Sequence, residues 1–241
     1  MIITPNWPLE HVKAFTTTRL INGKSLPPYQ YFNLGLHVGD NLVNVESNRK
    51  QLIQAYGLPS SPIWLNQTHS TVVLDLDMPF ESLNADASFT HKTNMVCAVM
   101  TADCLPILIA DKQAKTVAAI HAGWRSLAHG IIEQTIKKLL VPTQELYAWL
   151  GPAISQAHFE VGNDVKSIFL AQGFNTKKYF QQTSKEKWHA DIYGLATERL
   201  MQLNIKNIYG GEYCTYTNDN LFYSYRREQQ TGRMASVIWM L

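Results

Sequence analysis

The chain has 241 residues, enough to bury one sizeable core without requiring a second domain. Apolar residues make up 46% and charged residues 17%, which argues against disorder, and a net charge of +2 offers no electrostatic ground for binding nucleic acid. No apolar stretch approaches the roughly 20 residues that span a bilayer, and the opening MIITPNWPLEHVKAF lacks the basic and apolar regions of a secretory leader.

In chain order, the first strong helical pattern covers residues 42–56, LVNVESNRKQLIQAY. Val45, Leu52, Ile53 and Tyr56 share one face, Asp40 or Asn41 is placed to cap the start, and Gly57 with Pro59 ends it. The runs PIWLNQTH, TVVLDL, MVCAVMTAD, LPILIAD and TVAAIHA follow, rich in β-branched residues and bounded by turn residues, and they read as strands. Residues 126–140 form an amphipathic pattern that opens on Ser126 and carries Lys137 and Lys138 near its end, where they suit the helix dipole. Beyond it lie a strand in LYAWLGPAI, a helix over 163–172 bounded by Asn163 and Gly173, and a helix from Asp191 through Leu203. Further strands are expected in NIYGGEY, LFYSYRR and MASVIWML. Strands outnumber helices without alternating strictly, which favours a layered α+β domain over a doubly wound fold. No internal repeat or linker divides the chain, so residues 1–241 are expected to form one domain. Neither GxGxxG nor GxxxxGK[ST] occurs, so dinucleotide and P-loop binding have no support.

Three residues that close apolar runs could carry chemistry: His69 in WLNQTHS, Cys104 in MTADCLP and His121 in AAIHAGW. One cysteine and two histidines make a plausible three-ligand set for Zn²⁺, with a fourth position open to water or substrate. Their spacings of 35 and 17 residues are not metal-binding signatures, and the same residues are equally well a buried thiol and two hydrogen-bonded histidines. The three cysteines, 97, 104 and 214, are too few and odd in number for a disulfide framework, so free thiols in a reducing cytoplasm are expected.

Gly123 and Arg125 in HAGWRSLAHG stand where a strand turns into a helix, a reasonable anion seat or an ordinary turn. Arg226, Arg227 and Arg233 form a second basic cluster, suited either to gripping a phosphate or to keeping a strand edge soluble. Asn33, His37 and Asp40 in YFNLGLHVGD could line a pocket or form only a turn before the helix that carries Arg49. HFE at 158–160 matches half of the zinc deaminase signature, but no two cysteines stand three apart, so that fold is excluded.

The motifs NQTH, NADAS, MTADCLP, HAGWR, LGPAI with FEVG, and CTYT…FYSYRRE…TGRMAS occur in this order and span nearly the whole chain. Together they resemble the laccase-domain family, whose members are variously called multicopper polyphenol oxidases, peptidoglycan-editing factors and purine nucleoside phosphorylases. The resemblance implies a single-domain layered α/β/β/α fold and a Zn²⁺ site at His69, Cys104 and His121. It departs at His158 and Phe159, where many members carry a cysteine or tyrosine. It implies phosphorolysis of adenosine, inosine, guanosine and S-methyl-5′-thioadenosine, with an adenosine deaminase side activity. The expected partners are purine nucleosides and phosphate, the expected state a monomer, and the candidate substrate contacts Asn33, Arg49, Arg125 and Arg227. A four-copper oxidase would need more histidines, in H-x-H pairs, whereas this chain has eight and no such pair. Phenol oxidation would then be adventitious chemistry of copper replacing zinc, which the Irving–Williams order permits. The remaining alternatives are a Cys104–His121 amide hydrolase editing peptidoglycan precursors and a non-catalytic metal-binding or partner-binding module.

Overall fold

LPILIAD forms strand β7 (Leu105–Asp111), buried at every position. In a strand, successive side chains point to opposite faces, and here both faces are covered. Leu105, Ile107 and Ile109 join one hydrophobic cluster, while Leu108 and Ala110 join another. The first lies between the sheet and a set of helices; the second lies between two sheets.

The computed structural model describes residues 1–172 and 176–241, and within them fourteen strands and six α-helices. The sheet containing β7 has the order β13 (Asn207–Gly210), β9 (Leu146–Leu150), β7, β8 (Val117–Ala122), β5 (Ala87–Thr90) and β4 (Val73–Asp75). The facing sheet runs β1 (Ile2–Ile3), β2 (Val12–Thr17), β14 (Met234–Met240), β6 (Cys97–Thr101) and β3 (Ile63–Trp64). A small antiparallel sheet of β10 (Glu160–Gly162), β12 (Lys187–Ala190) and β11 (Phe180–Ser184) flanks them. Helix α1 (Leu42–Tyr56) places Leu52 against Phe15, Val237 and Trp239 on the outer face of the five-stranded sheet. Helices α3 (Ile131–Leu139) and α5 (Ile192–Gln202) cover the outer face of the six-stranded sheet with Ile132, Ile136, Leu195 and Leu200. The result is the expected α+β architecture, layered helix, sheet, sheet, helix.

Local expectations and structure agree closely for α1. Asn41 Oδ1 accepts the Val43 and Asn44 N–H groups, and Gly57 at φ +62° closes the helix. Asp191 caps α5 in the same manner through the Gly194 N–H. Four expectations are corrected. The pattern over 126–140 is two helices, α2 (Trp124–Ala128) and α3, because Gly130 adopts φ +92° between them. Asn163 lies inside α4 (Asn163–Ala171) and accepts a hydrogen bond from Trp188 Nε1 instead of capping, while Gly173 lies outside the described residues. LFYSYRR is not a strand. Phe222 and Tyr223 are buried in a loop, and the chain then enters α6 (Tyr225–Glu228), capped by Ser224. The expected strand PIWLNQTH is also shorter, since only Ile63 and Trp64 pair with β6. Among the described residues, no helix is long and apolar enough to cross a membrane.

Candidate metal centre

The β7–β8 pairing brings two of the candidate residues together. Leu105 faces Ala122 and Pro106 faces His121, so Cys104, just before β7, and His121, next to last in β8, share one end of the sheet. His69 reaches the same place from the loop after β3. There the Gln67 side chain replaces the missing strand partner, donating from Nε2 to Met100 O and accepting from Met100 N, both at 2.7 Å. One ligating atom from each of His69, Cys104 and His121 falls within 4.8 Å of the others, and His69 Nε2 lies 3.7 Å from Cys104 Sγ. A tetrahedral cation with bonds of about 2.0–2.3 Å holds its ligands roughly 3.3–3.8 Å apart, so small side-chain movements complete the set. One thiolate and two imidazoles suit a borderline-soft divalent cation, and the residues present fit a metal.

The backbone is forced at both approaches. His69 has φ 59° and the residue before Cys104, Asp103, has φ 96°. Such conformations cost about 1–3 kcal/mol and persist only where neighbours impose them. Asp103 is fixed by hydrogen bonds from Thr215 Oγ1 and from the Arg226 N–H, both at 2.6 Å. The loop of His69 is fixed by Asp86, which is fully buried and accepts the N–H groups of Thr68, His69 and Ser70. Asp86 Oδ1 also lies 2.8 Å from His121 Nδ1. A carboxylate only accepts, so Nδ1 carries the proton and Nε2 is left for the centre.

Burial alone would raise the Cys104 thiol and lower His121. The charge of His121 and hydrogen bonds from His121 and His69 outweigh burial at Cys104 and bring it to about 6. The Cys104 thiolate and the Asp86 hydrogen bond likewise raise His121 to about 9. At Asp86, burial opposes ionisation, but hydrogen bonds from His121 and Ser70 hold the carboxyl near 2. Without metal, each group therefore favours the charged form of the other, Cys104 toward the thiolate and His121 toward the imidazolium.

These residues open into a cavity of about 510 Å³, whose walls include Thr101, Trp124, Arg125, Tyr225 and Arg233. Arg125 is exposed, with its guanidinium 4.4 Å from the centre of the Trp124 ring. Helix α2 is only five residues long, so the side chain of Arg125, and not a helix dipole, brings positive charge here. Thr101 Oγ1 is buried in this wall with no hydrogen-bond partner among the described residues. A second cavity of about 460 Å³ shares His37 and Met100 with the first and is lined by Arg49, Trp64 and Phe80. Arg49 donates through Nε and one terminal nitrogen to Leu34 O, at 3.0 and 2.8 Å, and stacks on Trp64. Burial lowers it to about 10, so it keeps its charge at neutral pH.

Two sequence candidates are placed elsewhere. Asn33 is fully buried and organises its own loop, bonding Gly35, Asp40 and the Arg233 N–H. Arg227 spends its guanidinium on the carbonyls of Thr215, Tyr216 and Phe222, away from both cavities. The structure adds Asp86 and Gln67, to which the sequence reading gave no role. The only sequence signal for Asp86 was its place within NADAS.

The fold and site define a class: a layered α+β domain with a His₂Cys group that could hold a metal, beside an arginine-walled cavity. The chain belongs to the family described as multi-copper polyphenol oxidoreductase laccase, whose model matches residues 13–241. It is 47% identical to the purine nucleoside phosphorylase YfiH of Shigella flexneri over 100% of this chain and 99% of that protein. It is 48% identical to a purine nucleoside phosphorylase of Haemophilus influenzae over 98% of each chain. Among solved structures, Neisseria meningitidis protein NMB0706 matches with a TM-score of 0.93 and 44% identity, covering 99% of this chain and 98% of that one. YlmD from Geobacillus stearothermophilus matches with a TM-score of 0.89 at 26% identity, covering 97% and 93% respectively.

Proposed function

We propose that this chain is a zinc-dependent purine nucleoside phosphorylase acting on adenosine, inosine, guanosine and S-methyl-5′-thioadenosine, with adenosine deamination as a side activity. The observation that carries the reading is the convergence of His69, Cys104 and His121 on a cavity whose wall also holds Arg125 and Arg233. The names of close relatives support the same chemistry.

In phosphorolysis, a phosphate oxygen bonds to the anomeric carbon as the glycosidic C–N bond breaks. The electron pair passes to the base nitrogen, which takes a proton, leaving free base and the (methylthio)ribose 1-phosphate. The anion must be held beside the sugar, and Arg125 and Arg233 are the cations available in the same cavity. Arg49, in the adjoining cavity, extends that positive field. Thr101 Oγ1 offers a hydrogen bond to a substrate hydroxyl. Arg227 and Asn33 act by holding the loops behind the site. A bound divalent cation would supply Lewis-acid chemistry at this centre, of the kind hydrolytic deamination requires. His69, Cys104 and His121 would hold it, with His121 oriented by Asp86. Copper in place of zinc would account for phenol oxidation without a four-copper centre. The free cysteines fit a cytoplasmic enzyme, and we take the working unit to be the monomer.

A second reading is favoured by the Cys104–His121 pair itself. A thiolate lowered to about 6 beside an imidazolium is also the resting state of a cysteine hydrolase, here one cleaving an amide of a peptidoglycan precursor. The decisive experiment measures base release from adenosine, inosine and methylthioadenosine with and without phosphate, alongside metal content. Phosphate-dependent release with about one zinc per chain, lost in Cys104→Ala and His121→Ala, supports the phosphorylase. Bound zinc without base release sinks it and moves the assay to peptidoglycan amides.

A further inference from the structure

We infer that Asp86 is the positioning residue of the metal centre, acting on both histidine ligands at once through its single carboxylate. The inference rests on the metal-site reading above and concerns what selects the ligand atoms.

Five donors converge on Asp86. Oδ1 accepts from the His69 N–H at 3.0 Å and from His121 Nδ1 at 2.8 Å. Oδ2 accepts from the Thr68 N–H at 3.2 Å, the Ser70 N–H at 2.5 Å and Ser70 Oγ at 2.7 Å. The Asp86 carbonyl accepts the His121 N–H at 2.7 Å as well, so the ring and backbone of that ligand are both tied to one residue. The grip on Thr68, His69 and Ser70 holds His69 in its left-handed conformation, which an imidazole-bearing residue would otherwise leave. The bond to Nδ1 fixes the tautomer and ring plane of His121. The same carboxylate therefore sets the position of one ligand and the ligating atom of the other. Gln67 also anchors the His69 loop, but through hydrogen bonds to Met100 and, among the described residues, with none to His121, so it separates loop rigidity from ligand selection.

Replacing the carboxylate by an isosteric amide leaves one accepting oxygen for five donors and turns an N–H₂ group toward the rest. Either orientation breaks bonds that Asp86 makes.

The test uses the full chain, stripped of metal and titrated with Zn²⁺ against a chromophoric chelator. Asp86→Asn is expected to bind zinc about 10- to 100-fold more weakly than the wild type. Ser70→Ala, which keeps the carboxylate and removes one bond to it, is expected to show a smaller loss in the same direction. ¹⁵N-histidine spectra of the zinc-loaded wild type should show His121 bound through Nε2 with Nδ1 protonated. That pattern should survive in Gln67→Ala and be lost in Asp86→Asn. Coordination of His121 through Nδ1 in the wild type overturns the inference even if Asp86→Asn fails to fold. Unchanged zinc affinity in a folded Asp86→Asn variant overturns it while leaving the metal centre intact. Failure of the wild type to bind zinc overturns the metal reading and this inference together.

Discussion

Gly123 lies directly beneath His69: a methyl group on its α-carbon would stand 2.6 Å from the imidazole Cδ2 and 3.1 Å from Cys104 Sγ. Its φ of −63° is open to any residue, so glycine is required here by the closeness of the ligands and not by backbone conformation. The Gly123→Ala chain is expected to fold with a stability loss of about 1–3 kcal/mol, as for other overpacked sites. Displacing His69 by a fraction of an ångström to an ångström should lower activity about 100-fold. Thermal unfolding measured beside turnover checks both, and a variant with full activity would contradict the close approach.

Cys104 should react as an acid far stronger than an ordinary thiol. With its pKa brought to about 6, the metal-free protein should be alkylated at Cys104 with a half-maximal rate near pH 6. Cys97, raised to about 12 by burial, should stay unmodified under the same conditions. Zinc should protect Cys104, since its thiolate is then a ligand. Mass spectrometry of iodoacetamide-treated protein across pH, with and without zinc, measures all three outcomes.

Acid stability should carry the signature of Asp86. Its folded pKa, near 2, is below the unfolded value of 3.8, so its contribution is fully present above about pH 4. The contribution is lost as pH falls through 2, and amounts to about 2 kcal/mol. His121 behaves oppositely. Raised to about 9 in the metal-free fold by the Cys104 thiolate and Asp86, it loses its contribution as pH rises through 9, and the part owed to Cys104 is lost again as that thiolate is protonated below about pH 6. Denaturant titrations of metal-free protein should therefore show a steep limb between pH 4 and 2 that Asp86→Asn flattens.

Arg227 and Arg233 separate structure from binding. Arg227→Ala removes charged hydrogen bonds to three carbonyls, at 2.7, 2.8 and 2.8 Å, and should cost about 2–3 kcal/mol of stability. Its phosphate KM should stay near the wild-type value. Arg233→Ala, in the wall of the cavity, should raise the phosphate KM about tenfold, and because Nη1 also donates to Thr231 O and Gly232 O at 3.0 Å its unfolding is measured beside its KM. An unaltered KM in Arg233→Ala would remove it from the anion seat.

Two strands that do not show as apolar runs, β2 and β5, share a cause. β2 contains Thr16 and Thr17 and β5 contains Ser88 and Thr90, all fully buried, so neither forms an apolar run. Thr16 Oγ1 and Ser236 Oγ satisfy each other at 2.6 Å between β2 and β14, a pairing visible only after the sheet exists. The opposite error occurred at LFYSYRR, where Phe222 and Tyr223 are apolar because a loop buries them, not because they pair in a strand.

The sequence by itself determined what depends on near neighbours. The period and caps of α1 and α5 and the doubly buried run of β7 follow from residues a few positions apart, whereas His69, Cys104 and His121 stood out as a set only through motifs spread along the whole chain. Only the tertiary structure decided which donors meet and what holds them. Asp86 is 17 residues from His69 and 35 from His121 along the chain, and Thr101, Trp124 and Arg233 reach one cavity from separate segments. Those distances close through sheet register. A one-residue slip of β8 against β7 would turn His121 away from Cys104 to the other face.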